Sequence, residues 1–252
     1  MINDPRSEPY YDHLIKMGYC FLNYSEKHYI FERAGRVIKV AKSLYNHGKT
    51  DESYEIEKAA HDLLRFYRIP AAEIYNIYPK GSFLDDFAVL KEEKVNGEIY
   101  YKKDCEKNFL MQALRLMQAV TRIKGKNFGM LEKDGHAKFL SWKDFLYDAV
   151  KGVPNGKREF ICSKIQTLPD ITEPAFVFTD CNMANFVFNG NYLIKALDVE
   201  RPLWGDPLFL YGVIKRRNPY MYVLIGKEAE SEIVDLYAKI YSYIFGGCRD
   251  VM

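Results

Sequence analysis

Apolar and polar positions along the 252-residue chain fall into two regimes. Up to about residue 90, short apolar runs alternate with turns. These runs are Tyr19-Cys20-Phe21-Leu22, His28-Tyr29-Ile30-Phe31, Arg36 to Lys42, Ile74 to Tyr78 and Phe87-Ala88-Val89-Leu90. Segments of this length, rich in β-branched and aromatic residues, read as strands. With Ala34-Gly35 as a turn, the first three form an antiparallel meander. A helical period intervenes between Asp51 and Tyr67, where Ile56, Ala59, Ala60, Leu63 and Leu64 share a side, Thr50 or Asp51 caps and Ile69-Pro70 ends the helix. A shorter helical pattern over residues 7–17 is closed by Gly18.

After a polar connector, Lys91 to Gly97, the period changes. Leu110, Ala113, Leu114, Met117 and Val120 recur at helical spacing. A second helix carries Trp142, Phe145, Leu146 and Val150 behind a Ser141 cap, and Leu208 to Val213 and Glu228 to Phe245 complete the helical set. One block interrupts it. Phe176-Val177-Phe178, Phe186-Val187-Phe188 and Tyr192 to Leu197 read as buried runs, the last two joined by the turn residues Asn189-Gly190-Asn191. The pattern predicts an α+β chain: an N-terminal antiparallel five-stranded sheet with one helix over residues 1–95, and a mostly helical part over 96–252.

Composition narrows the class. Hydrophobic residues at 48% and charged residues at 28% are those of a soluble globular protein. No apolar segment approaches the roughly 20 residues of a membrane helix, and the start lacks a signal-peptide pattern, so the expectation is a cytoplasmic protein without a membrane span. Five scattered cysteines, never spaced Cys-x-x-Cys, argue against a zinc site and a disulfide framework. A net charge of +2 gives no nucleic-acid footprint, and a monomer is favoured.

Chemistry is concentrated where polar residues interrupt apolar runs. Lys39 lies inside a strand, either as a lysine snorkelling at the strand end or as a phosphate-binding lysine. Strand alternation sets Val37 beside it, placed to roof an adenine, and turns Lys42 away. An acid must hold such a lysine when the site is empty. Glu57 lies seven residues before Leu64 and can look inward, with Glu55 in reserve. Asp180, Asn185 and Asp198 fall at the ends of the three buried runs, and the hairpin carries them to one end. Two carboxylates and an amide oxygen suit one base and one hard-metal site.

The spacing Asp180-x-x-x-x-Asn185 is that of the kinase catalytic loop. With Leu197-Asp198 and Trp204-Gly205-Asp206-Pro207, it resembles the aminoglycoside phosphotransferase family of protein-kinase-like fold. Further likenesses are Val37-Ile38-Lys39, Glu57 with Leu64 and Pro70, Glu93 to Gly97 as a Glu-x-x-x-Gly hinge, and Phe128-Gly129 with Ser141 to Leu146. The resemblance covers nearly the whole chain in order. It implies a two-lobed kinase that uses ATP or GTP with Mg2+ to phosphorylate a hydroxyl of a small molecule. Asp180 would be the base, and Asn185 and Asp198 the metal ligands. Lys39, positioned by Glu57, would hold phosphates under the Asn23 to Lys27 loop with Ser25, while the backbone at Glu93 and Val95 would read the adenine edge.

The acceptor is expected among aminoglycoside-like molecules, amino alcohols and sugars, with choline or a lipopolysaccharide sugar as alternatives. Glu200 and Asp206 are the candidate contacts to a cationic acceptor, although Asp206 before Pro207 reads first as a helix cap. Lys215-Arg216-Arg217 does not suit such an acceptor. A nucleotide-binding pseudokinase is the other reading, motivated by Phe178-Thr179 before Asp180, where the family commonly has His-Gly, and by the glycine-free loop. The sequence argues against a Ser-His-Asp hydrolase, because no histidine follows residue 136 and no Gly-x-Ser-x-Gly elbow exists.

Overall fold

The computed structural model describes residues 4–100 and 106–245. Helix α1 (Tyr11–Lys16) ends at Gly18, whose φ of 82° the missing Cβ permits. Strands β1 (Cys20–Tyr24), β2 (His28–Arg33) and β3 (Arg36–Ala41) then form the expected meander. Ala34 and Gly35 both have positive φ, 51° and 72°, which gives the two-residue turn whose twist matches a hairpin. Helix α2 (Thr50–Phe66), β4 (Ile74–Tyr78) and β5 (Val89–Glu93) complete an antiparallel sheet in the order β1-β2-β3-β5-β4.

Two details differ from expectation. The strand read at Phe87–Leu90 lies at Val89–Glu93, so residues 91–93 belong to the ladder and not to a polar connector. Its period of two turns Glu92 inward, opposite Val37, while Lys39 pairs with Leu90. On α2 the buried side is Tyr54, Glu57, Ala60, His61 and Leu64, with Ile56, Ala59 and Leu63 only half-buried. Glu57 faces inward there to meet a buried ammonium, and His61 to meet a backbone carbonyl.

The rest of the chain is β6 (Glu98–Ile99), α3 (Lys107–Val120), β7 (Gly129–Met130), α4 (Trp142–Ala149), α5 (Asn155–Gln166), β8 (Ala175–Val177), β9 (Phe186–Asn189), β10 (Tyr192–Ala196), β11 (Leu203–Gly205), α6 (Phe209–Arg217), α7 (Pro219–Tyr222) and α8 (Glu232–Phe245). Ser141 caps α4 as expected, its hydroxyl accepting from the Asp144 amide at 3.1 Å. Helix α5 escapes the pattern because only Ile161 and Ile165 are buried on it. The hairpin β9–β10 turns at Gly190, but β8 does not join it: β8 pairs with β11 in a separate sheet with β7.

One apolar core joins Leu110, Leu114 and Met117 of α3 to Trp142, Phe209 and Tyr237, and Ala60, Leu64 and Ala71 extend it toward the sheet. The connector after β5 reaches this core through Gly97, where a Cβ would stand 2.4 Å from the Phe188 carbonyl oxygen. Only glycine allows that approach. Among the described residues no helix is long and apolar enough to cross a membrane.

Candidate active site

Strand β3 delivers Lys39 to the interior, where it is 4% exposed. Its Nζ lies 3.0 Å from Glu57 Oε1 and 3.2 Å from Glu92 Oε1, and it contacts Asp198 Oδ1 directly. Glu57, not Glu55, therefore holds the lysine; Glu55 lies outside near Lys133. Burial would strip the proton from Lys39, but Asp198, Glu57 and Glu92 outweigh it and hold the ammonium well above its ordinary pKa. Burial pushes Glu57 up to about 8 and raises Glu92 as well. Burial also opposes ionisation of Asp198, yet the charge and hydrogen bond of Lys39 hold it down at about 2. Three carboxylates thus surround one ammonium, and Glu92 Oε2 has no hydrogen-bond partner among the described residues.

Glu92 was not expected here. Its signal is the inward position one step past Leu90, hidden in the charged run Lys91-Glu92-Glu93-Lys94. His61, one turn after Glu57, was also missed; its Nδ1 meets the Ala72 carbonyl oxygen at 2.8 Å, and burial lowers it to about 4, so it is neutral.

Asp180 follows β8. Phe178 is buried against Phe176, and the Thr179 hydroxyl donates to the Glu200 and Arg201 carbonyls at 3.2 and 2.9 Å. These contacts fix the loop without a histidine. Asp180 Oδ1 accepts from the Asn182 amide at 3.1 Å, a turn-forming bond, and Oδ2 accepts from Asn185 Nδ2 at 3.2 Å. Asn185 closes one 3-10 turn, and its carbonyl accepts from the Leu197 amide at 2.7 Å, which binds that turn to the segment bearing Asp198. With its NH2 committed to Asp180, the amide oxygen of Asn185 is turned away from that carboxylate. Asp180 and Asn185 are thus bonded to each other, the Asn185 backbone lies against the segment bearing Asp198, and Lys39 with Glu57 reaches Asp198 from the sheet.

The remaining candidates divide. Val37 is buried beside Lys39, opposite Glu92. Glu93 donates its amide to the Glu73 carbonyl at 2.8 Å and its carboxylate pairs with Lys195, so a contact with a base at this residue falls to its carbonyl. Val95 is half-buried in the connector between Glu93 and Gly97. Ser25 is engaged in its own turn: its hydroxyl accepts from the His28 amide at 3.0 Å and its amide donates to the His28 carbonyl at 2.9 Å. That pairing closes the β1–β2 turn without glycine. Glu200 accepts from Lys27 Nζ at 2.7 Å.

Asp206 corrects the acceptor expectation. It is 3% exposed, accepts from the Leu208 amide at 2.9 Å and from the Tyr237 hydroxyl at 2.7 Å, and Tyr237 in turn accepts from Trp142 Nε1. It is a cap within the core. A buried carboxylate in that role does not meet a substrate.

Two cavities adjoin the cluster. One, of about 500 Å3, is bordered by Asp180, Glu200, Arg201, Arg216 and Arg217. The other, of about 610 Å3, is bordered by His28, Tyr54, Glu57 and Glu200. A part-exposed carboxylate at a cavity, an amide and a carboxylate beside it, and a buried lysine behind them can orient a hydroxyl, hold a hard cation and neutralise phosphate.

No protein-family model matches the chain, and no curated protein matches it in sequence. Solved structures do. Aminoglycoside phosphotransferase APH(4)-Ia, as a thermostable mutant in apo form, superposes with a TM-score of 0.72 at 14% identity, covering 92% of this chain and 88% of that one. A ternary complex of such a mutant with ADP and hygromycin B gives the same values. The GDP complex of wild-type aminoglycoside 2'-phosphotransferase-IIIa follows at a TM-score of 0.57 and 14% identity, covering 94% and 88%. The five-stranded sheet, its single long helix and the mostly helical remainder are thus the protein-kinase-like fold of the aminoglycoside phosphotransferases.

Proposed function

We propose that the chain is a phosphotransferase that moves the γ-phosphoryl group of ATP or GTP to a hydroxyl of a small molecule, acting in the cytoplasm where those nucleotides are abundant. Residues 1–95 serve as the nucleotide-binding lobe and residues 96–252 as the catalytic and acceptor-binding lobe. The observation that carries this reading is one chain of contacts: Lys39 meets Glu57 and Asp198, the Leu197 amide beside Asp198 bonds the Asn185 carbonyl, and Asn185 bonds Asp180. The ligands bound to the structural neighbours, ADP and hygromycin B in one and GDP in another, support nucleotide as co-substrate.

In this reading the acceptor hydroxyl hydrogen-bonds to Asp180, which orients it and takes its proton. A bond forms from that oxygen to the γ-phosphorus while the bond to the β,γ-bridging oxygen breaks, and the electron pair leaves with the nucleoside diphosphate. Lys39 neutralises phosphate charge, and Glu57 keeps it in place. The chain's donors fit magnesium: one carboxylate and one amide oxygen are hard ligands that leave room for phosphates and water. The surplus of carboxylates around Lys39 also suits an added dication. Asn185 and Asp198 would hold magnesium, whose charge would offset that of the phosphates.

Melting the protein with ATP or GTP, with and without magnesium, tests this reading. Stabilisation of about 2.7 kcal/mol is expected at a ligand concentration 100 times Kd, and only with the metal present. No shift with either nucleotide and magnesium would overturn it.

A further inference from the structure

We infer that the acceptor is anionic: a hydroxylated sugar or polyol that carries a carboxylate or phosphate group. This rests on the phosphotransferase reading, since it takes the cavity beside Asp180 as the acceptor site. Four cations, Lys27, Arg201, Arg216 and Arg217, line that cavity against three acids, Glu26, Asp180 and Glu200. Lys27 and Glu200 pair with each other at 2.7 Å, which leaves three arginines against Glu26 and the base Asp180. Arg217 Nη2 stands 3.7 Å from Asp180 Oδ1, at the reacting position itself.

The arginines arrive from unrelated parts of the chain. Arg216 and Arg217 end α6, where a helix terminus favours cations, and on that ground alone they would be an ordinary solvated turn. Arg201 is different. It follows the Asp198 segment with a φ of 51°, a left-handed conformation that a non-glycine residue adopts only under strain. The Thr179 hydroxyl bonds its carbonyl, and its guanidinium lies over the Phe245 ring at 4.6 Å. A strained, doubly anchored arginine on the same cavity as the base is built placement. Guanidinium groups pair with carboxylate and phosphate through parallel hydrogen bonds, whereas a polycation here would set ammonium groups against them. Asp206, the other acid expected to meet a cationic acceptor, lies in the core.

The test is calorimetric titration at fixed ionic strength of the full chain with glucose 6-phosphate, glucuronate, glucose and hygromycin B. Each is run with and without magnesium and AMP-PNP. At least one anion is expected to bind at least tenfold more tightly than glucose, with hygromycin B weaker still. Preference between the two anions tells phosphate from carboxylate. Arg201→Ser with Arg216→Ser should weaken the anion at least tenfold and leave AMP-PNP affinity unchanged, which also reports that the variant is folded. Should that variant not fold, the comparison of anions with glucose on the unaltered chain decides alone. Glucose or hygromycin B binding as tightly as both anions, or anion affinity indifferent to the arginines, overturns the inference. Absent nucleotide binding with arginine-dependent anion binding would instead overturn the kinase reading.

Discussion

Replacing Lys39 by methionine would leave Glu57, Glu92 and Asp198 facing one another without a cation. Removing one partner of a buried ion cluster costs roughly 3–5 kcal/mol, because the remaining charges are stranded. Lys39→Met is expected to lose stability on that scale in urea denaturation. Glu92→Gln should behave oppositely. Burial raises the Glu92 pKa in the folded state, so its ionised form destabilises the fold once pH rises above the unfolded carboxyl value. The glutamine variant should therefore melt higher than the parent at pH 8, with the gap shrinking toward pH 5. A gap that grows on acidification would show that Glu92 is held ionised. At this scale Lys39, Asp180, Asn185 and Asp198 were legible because each interrupts or ends an apolar run, which burial must explain. Glu92 was not, because charges surround it in sequence, and Arg201 was not, because only tertiary structure brings it to Asp180.

Among elements, the hairpins and amphipathic helices followed from periodicity, while the departures have physical causes. Helix α5 exposes most of its surface and shows no apolar stripe to read. Strand β5 extends into Lys91-Glu92-Glu93 because strand pairing with β3 accepts charged residues once one of them finds a buried lysine. The passage from β5 to β6 depends on Gly97. A Cβ there would meet the Phe188 carbonyl at 2.4 Å and Val187 Cγ1 at 2.5 Å, and backbone cannot yield as a side chain can. Gly97→Val is expected to cost about 1–3 kcal/mol or more by overpacking. Gly156 in α5 has open space around it, so Gly156→Ala should be neutral or stabilise by up to about 1 kcal/mol. Equal effects at the two positions would remove the close-approach argument.

Across the whole molecule, the candidate site lies where the first 95 residues meet the rest. Lys39 contacts Asp198, Lys27 pairs with Glu200, Lys195 pairs with Glu93, and the Ala72 amide donates to the Ala196 carbonyl at 2.9 Å. In the proposed reaction Asp198 would serve the nucleotide and Asp180 the acceptor hydroxyl. The most direct test follows nucleotide binding and nucleotide consumption, with magnesium and an accepted hydroxyl compound, in the parent, Asp180→Ala and Asp198→Ala. Asp180→Ala should keep magnesium-dependent nucleotide binding and lose turnover by at least a hundredfold, while Asp198→Ala should lose the metal dependence of binding itself. Turnover that survives in Asp180→Ala, or metal-dependent binding that survives in Asp198→Ala, would contradict these roles.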